Sequence, residues 1–177
     1  GNMNAMQTFF NSSDKNYDKK VNLFLENAQC QIFNSFINSI AIKKPITAYP
    51  VENIDVTTSI EIKDKLDNGE ILFIAGDRIS AHNNNENAIF TSNFLGKKMK
   101  FPVGAFRFAL ILKVPIYFIA CTLEKDGKYK VHLKKFEKTS FRKDKLETLK
   151  SEYVEFLENL TKQYPLQFYQ FYDFLTE

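Results

Sequence analysis

Asp77 and Arg78 follow directly on the apolar run Ile71-Leu72-Phe73-Ile74-Ala75. A charged pair at the C-terminal end of a buried strand stands where open α/β sheets take their ligands. The arginine offers phosphate or carboxylate a planar, two-pronged donor, and the aspartate orients it; the alternative is a plain ion pair opening a loop. One loop further on, Phe101-Pro102-Val103-Gly104 precedes a second apolar stretch. This predicts a helix start set by proline, with free backbone N–H groups suited to an anion and Gly104 admitting it closely. The expectation is that both features converge on one negatively charged ligand at the rim of a sheet.

Other chemistries find less support. His132 and Glu137 have a His-x-x-x-x-acid spacing, but on a strand an odd offset sends them to opposite faces, so they are not read as a pair. His82 sits in a polar stretch with Asn83-Asn84-Asn85 and reads as a solvated loop residue. There is no phosphate-binding Gly-x-x-x-x-Gly-Lys-Ser/Thr loop, no Gly-x-Gly-x-x-Gly turn and no Cys/His cluster, so no metal and no nucleotide cofactor is expected. Cys30 and Cys121 lack ligand spacing and read as reduced thiols.

These residues need a scaffold, and 177 residues suffice for one domain spanning 1–177. A net charge of +3 is too balanced to argue for nucleic acid. Lys97, Lys98 and Lys100, and then Lys134, Lys135 and Lys138, form local basic patches or simply solvate element ends. No apolar run reaches the roughly 18 residues of a membrane span. The composition departs from the ordinary in its aromatics, with 18 Phe and no Trp.

Strand and helix patterns alternate, which predicts an α/β fold with a mixed, mostly parallel sheet flanked by helices. A strand is expected at Val21 to Leu25, then a helix with Ala28, Ile32, Phe36 and Ile40 on its apolar face, then a strand near Ile46 to Tyr49. Thr58-Ser59-Ile60-Glu61 has the form of a capping box, and Gly69 is placed to end its helix. Ile71 to Ala75 reads as a strand buried on both faces, and Asp77 to Thr91 as a polar loop. A central helix is expected over Gly104 to Lys113, stopped by Pro115. Pro115 to Thr122 and Tyr129 to Phe136 read as strands joined at Asp126-Gly127. Leu146, Leu149, Tyr153, Phe156, Leu157, Leu160 and Tyr164 recur at three- and four-residue steps and predict a final helix.

Taken in order, the segments resemble the motif series of the glycerolipid acyltransferases, most closely the bacterial lipid A biosynthesis (lauroyl/myristoyl) acyltransferases. Gly69-Glu70-Ile71-Leu72-Phe73-Ile74-Ala75-Gly76-Asp77-Arg78 resembles the second block. Phe94-Leu95-Gly96 with Phe101-Pro102-Val103-Gly104 resembles the third, and Val114-Pro115-Ile116 the fourth. Tyr164-Pro165-Leu166-Gln167-Phe168 is similar to the family's Tyr-Pro-x-Gln-Trp ending, with Phe168 at the Trp position.

The resemblance implies a glycerolipid-acyltransferase-like fold and transfer of a fatty chain from acyl carrier protein, or alternatively acyl-coenzyme A, to a hydroxyl of a phosphorylated glycolipid. It implies work at a membrane surface, on the cytoplasmic face of the bacterial inner membrane. Asp77, Arg78, Phe101, Pro102 and Gly104 would bind the acceptor. Gly1-Asn2-Met3-Asn4-Ala5 resembles the end of the family's His-x-Gly-Asn-aromatic-Glu context, which puts Asn4 at the acidic position and the catalytic His two residues before Gly1. On that reading the chain is the C-terminal part of a longer protein. Two rivals stay open: a non-catalytic lipid- or anion-binding module, and an acyltransferase for a lysophospholipid or another glycolipid.

Overall fold

The computed structural model describes residues 19–39, 46–51, 54–74, 76, 86–136, 145–168 and 175–176. They form two compact units, one of residues 19–76 and one of residues 86–176.

In the first unit, strand β1 (Val21–Leu25) is followed by helix α1 (Asn27–Ser39), strand β2 (Ile46–Pro50), helix α2 (Val56–Asp67) and strand β3 (Ile71–Ile74). β1 is central and pairs in parallel with β2 and with β3. Its central place explains why Val21, Asn22, Leu23 and Phe24 are all buried. Asn22 is accommodated because its amide donates to Glu70 Oε2 at 2.9 Å and to the Ile71 carbonyl at 3.3 Å.

Three expectations change in this unit. The expected Ile71 to Ala75 strand is half-buried along β3 rather than sealed on both faces, because within its sheet it pairs with β1 alone. α2 begins three residues before the supposed capping box: Asp55 is the cap, and its carboxylate accepts from the Thr58 N–H at 2.7 Å. On α1, Ile32 is exposed while Cys30 and Phe33 are buried; the side chains of Ala28 and Phe36, and residue Ile40, lie outside what is described. Gly69 does end α2. Its amide donates to the Leu66 carbonyl and that of Glu70 to the Lys65 carbonyl, a Schellman closure made possible by a φ of +83°.

The second unit opens with a 3₁₀ turn (Glu86–Ala88) and a hairpin of β4 (Ile89–Phe94) and β5 (Lys97–Pro102). Ile89 to Thr91 therefore belong to a strand, not to the polar loop expected there. Leu95 and Gly96 make the two-residue turn with φ of 53° and 80°, the double positive φ of a type I′ turn. Phe101 and Pro102 end β5 rather than open the helix; α3 (Gly104–Leu112) starts after Val103, so Pro102 lies outside its first turn.

Next come β6 (Tyr117–Leu123), β7 (Tyr129–Lys135), the long helix α4 (Lys145–Gln163), a 3₁₀ turn (Pro165–Gln167) and β8 (Leu175–Thr176). β8 pairs antiparallel with β5, and β6 with β7. Among the described residues the parallel pairings are confined to the first unit, so the chain is mixed α/β rather than mostly parallel. The reason is local: turns as short as Leu95-Gly96 or the one at Gly127 can join antiparallel strands only. The core of this unit is aromatic. The ring of Tyr153 on α4 meets Phe101 of β5 at 6.3 Å, Phe106 of α3 at 5.1 Å and Phe118 of β6 at 5.4 Å.

Candidate functional site

Of the residues expected to do chemistry, Asn4, Asp77 and Arg78 lie outside the described residues, as does His82, which was read as a solvated loop residue. Phe101, Pro102 and Gly104 are described. Phe101 is fully buried, stacked on Phe90 at 5.4 Å, so its side chain anchors the end of β5 within the core. Pro102 pairs with Ile89 across the hairpin. Val103 caps α3 without a side-chain hydrogen bond, and its own N–H donates to the Ala88 carbonyl at 2.9 Å. The amides of Gly104, Ala105 and Phe106 then occupy the first turn, where a helix supplies no partners.

Gly104 is exposed, and a Cβ built there would meet nothing within 4 Å. There is thus room for a side chain at Gly104, and the dipole of α3 adds a partial positive charge to this helix start. Arg107 stands on the same turn, its Nη1 donating to the Asn87 carbonyl at 2.9 Å. The sequence signal for Arg107 was its place four residues after the cap, on the face that returns towards the 3₁₀ turn.

A second polar group went unrecognised in the sequence because its members are far apart in the chain. Thr122 Oγ1 lies 2.8 Å from His132 Nε2 and 3.2 Å from Glu124 Oε1, and the Tyr164 hydroxyl donates to the same carboxylate oxygen at 2.9 Å. Gln167 Nε2 donates to the Leu123 carbonyl at 2.8 Å, while its Oε1 accepts from the Leu123 N–H at 2.7 Å. Tyr164 and Gln167, the two polar residues of the Tyr-Pro-x-Gln stretch, therefore fasten the end of α4 to β6. Burial, helped by Lys130 and opposed by Glu124, holds the His132 imidazole below its ordinary pKa. Thr122 is itself buried, which suits it to structure rather than to attack on a substrate. Both cysteines are free, and burial pushes the Cys121 thiol up, so it is a poor nucleophile at neutral pH.

An open groove of about 320 Å³ runs between β4 and α4, lined by residues including Asn93, Glu155, Glu158 and Lys162. Glu158 and Lys162 there form an ion pair with each other at 2.5 Å. Among the described residues no group of three or more His, Cys, Asp or Glu is arranged to hold a metal ion, and no helix is long and apolar enough to cross a membrane. No family model matches the sequence, and no curated protein matches it.

Proposed function

We propose that this protein is an acyltransferase of glycerolipid-acyltransferase-like fold that moves a fatty chain from acyl carrier protein to a hydroxyl of a phosphorylated lipid A precursor. The observation that carries the reading is the ordered series of blocks ending at Arg78, Gly104, Ile116 and Phe168. Two features support it. The start of α3 has no side-chain cap hydrogen bond, and Gly104 there is exposed. Phe168, at the position of the family's Trp, packs on Phe94 of the third block at 5.3 Å, so separate motifs meet in one core.

In this scheme a histidine base takes the proton of the acceptor hydroxyl, and the oxygen attacks the thioester carbonyl. The tetrahedral intermediate then collapses, and the carrier thiolate leaves with the proton returned by the imidazolium. Asp77 orients Arg78, whose guanidinium binds acceptor phosphate; the amides at Gly104 bind an anionic group in the same chemical manner. The partners are acyl carrier protein and the membrane surface that presents the glycolipid, on the cytoplasmic face of the inner membrane. No metal or organic cofactor takes part.

The test is mass spectrometry of lipid A from cells with and without the gene for the intact protein. Loss of one acyl chain is the expected result; an unaltered acylation pattern overturns the reading. Arg78→Ala in the intact protein should raise the KM for acceptor by about tenfold to a hundredfold, the worth of one charge-assisted hydrogen bond. Asn4 favours a second reading, a lipid- or anion-binding module without catalysis, because an amide cannot stabilise an imidazolium with a full negative charge. Binding of glycolipid without any acyl transfer would select that reading.

A further inference from the structure

Within its sheet β6 pairs with β7 alone. The bonds from the Phe136 N–H to the Ile116 carbonyl and from the Glu124 N–H to the Lys128 carbonyl fit the same register as the strands, and they put the even-numbered residues of β6 in the hydrogen-bonded pairs. The N–H and C=O groups of Tyr117, Ile119, Cys121 and Leu123 therefore point the other way, along the outer edge. Gln167 agrees with this, because its carboxamide bonds both backbone groups of Leu123. Among the described residues nothing does the same for Tyr117, Ile119 or Cys121.

The strand is undefended against pairing, since Tyr117-Phe118-Ile119-Ala120-Cys121-Thr122-Leu123 contains no charge, no proline and no glycine. Its two ends set limits. Leu123 is already taken by Gln167, and Pro115 has no N–H to give. What remains is Tyr117, Ile119 and Cys121, and this set is self-complementary. An antiparallel second copy centred on Ile119 pairs Tyr117 with Cys121 of the other chain, Ile119 with Ile119, and Cys121 with Tyr117, so every open group between the two limits is bonded. Sliding the register by two residues sets Tyr117 against the occupied Leu123, or Cys121 against Pro115, and bonds are lost. We propose that the protein pairs with a second copy of itself through the outer edge of β6, joining two β6–β7 hairpins into one four-stranded antiparallel sheet. A second copy fits because it carries the same two limits in reverse. The proposal goes beyond acyl transfer and does not rest on it.

Sedimentation equilibrium of the full chain over a dilution series should give masses rising from 20.6 kDa towards twice that value. A monomer at every concentration would mean that another segment, a strand of another protein or water meets the edge, and would overturn the proposal. Residue 119 faces its own counterpart, so Ile119→Lys puts like charges opposite each other and should weaken the dimer about tenfold or more, as should Ile119→Glu. Mixing the two variants pairs opposite charges and should restore the dimer. Either variant dimerising as tightly as the parent, or two folded variants failing to recover on mixing, would overturn the proposal. Should the charges prevent folding, a milder change decides: with Cys121→Ser in place, Ile119→Cys should cross-link two chains under mild oxidation, the Cα atoms of such a pair lying about 5.5 Å apart. Leu133→Cys, on β7, should not cross-link. An unlinked Ile119→Cys, or equal linking at position 133, would again overturn it.

Discussion

His132 reads as the residue most sensitive to pH among those described. Its pKa is held below the ordinary 6.5 chiefly by burial, so on unfolding the imidazole gains affinity for protons. The unfolded chain then binds more protons between the two pKa values, and stability must rise with pH through that window. The contribution is complete above about pH 6.5 and is lost as pH falls through it towards the folded value. Thermal melts should show a fall in Tm between pH 7 and 5 that His132→Gln reduces. The carboxylates of Asp55, Asp126 and Glu158, held low by their hydrogen-bond donors, act in a more acidic range and leave this window to the histidine. None of this was legible in the sequence. His132 meets Thr122 on the diagonal of the hairpin rather than its paired residue Ala120, a choice made by strand register, while the acid five positions on, Glu137, lies outside the described residues.

At the scale of elements, two glycines make opposite forecasts. Gly69 holds φ +83° to close α2, so Gly69→Ala should cost about 1–2 kcal/mol in urea denaturation. Gly104 has no positive φ and open space before it, so Gly104→Ala should leave stability unchanged or raise it by about 0.5 kcal/mol. If the amides of α3 bind the acceptor, that same substitution should weaken acceptor use with the fold intact, a separation that kinetics and melts together resolve. The helices and the strands β1, β2, β6 and β7 were readable because each carries its own periodicity or apolar run. The β4–β5 hairpin was not. Lys98, Met99, Lys100 and Phe101 do alternate out and in, but a run of lysines masks the pattern. Its turn also uses Leu95, a residue with no preference for positive φ.

At the scale of the molecule, each unit has its own buried centre: Phe24 and Ile62 in the first, Phe94, Met99, Phe101 and Leu149 in the second. Phe101→Ala should cost about 3–5 kcal/mol, enough to expose the second unit to proteolysis, because the cavity would sit under the rings of Phe90, Phe94 and Tyr153. Phe101, Phe106 and Phe118 join β5, α3 and β6 to α4 around one tyrosine, Tyr153. Gln167 bears on solubility. Its carboxamide meets the Leu123 backbone with both a donor and an acceptor, as a peptide group of an added strand would. It therefore occupies the outer edge of β6 at that point and blocks templated growth by a foreign chain. Gln167→Ala would reopen this register, and light scattering on prolonged storage should report filament or aggregate formation earlier than for the parent protein.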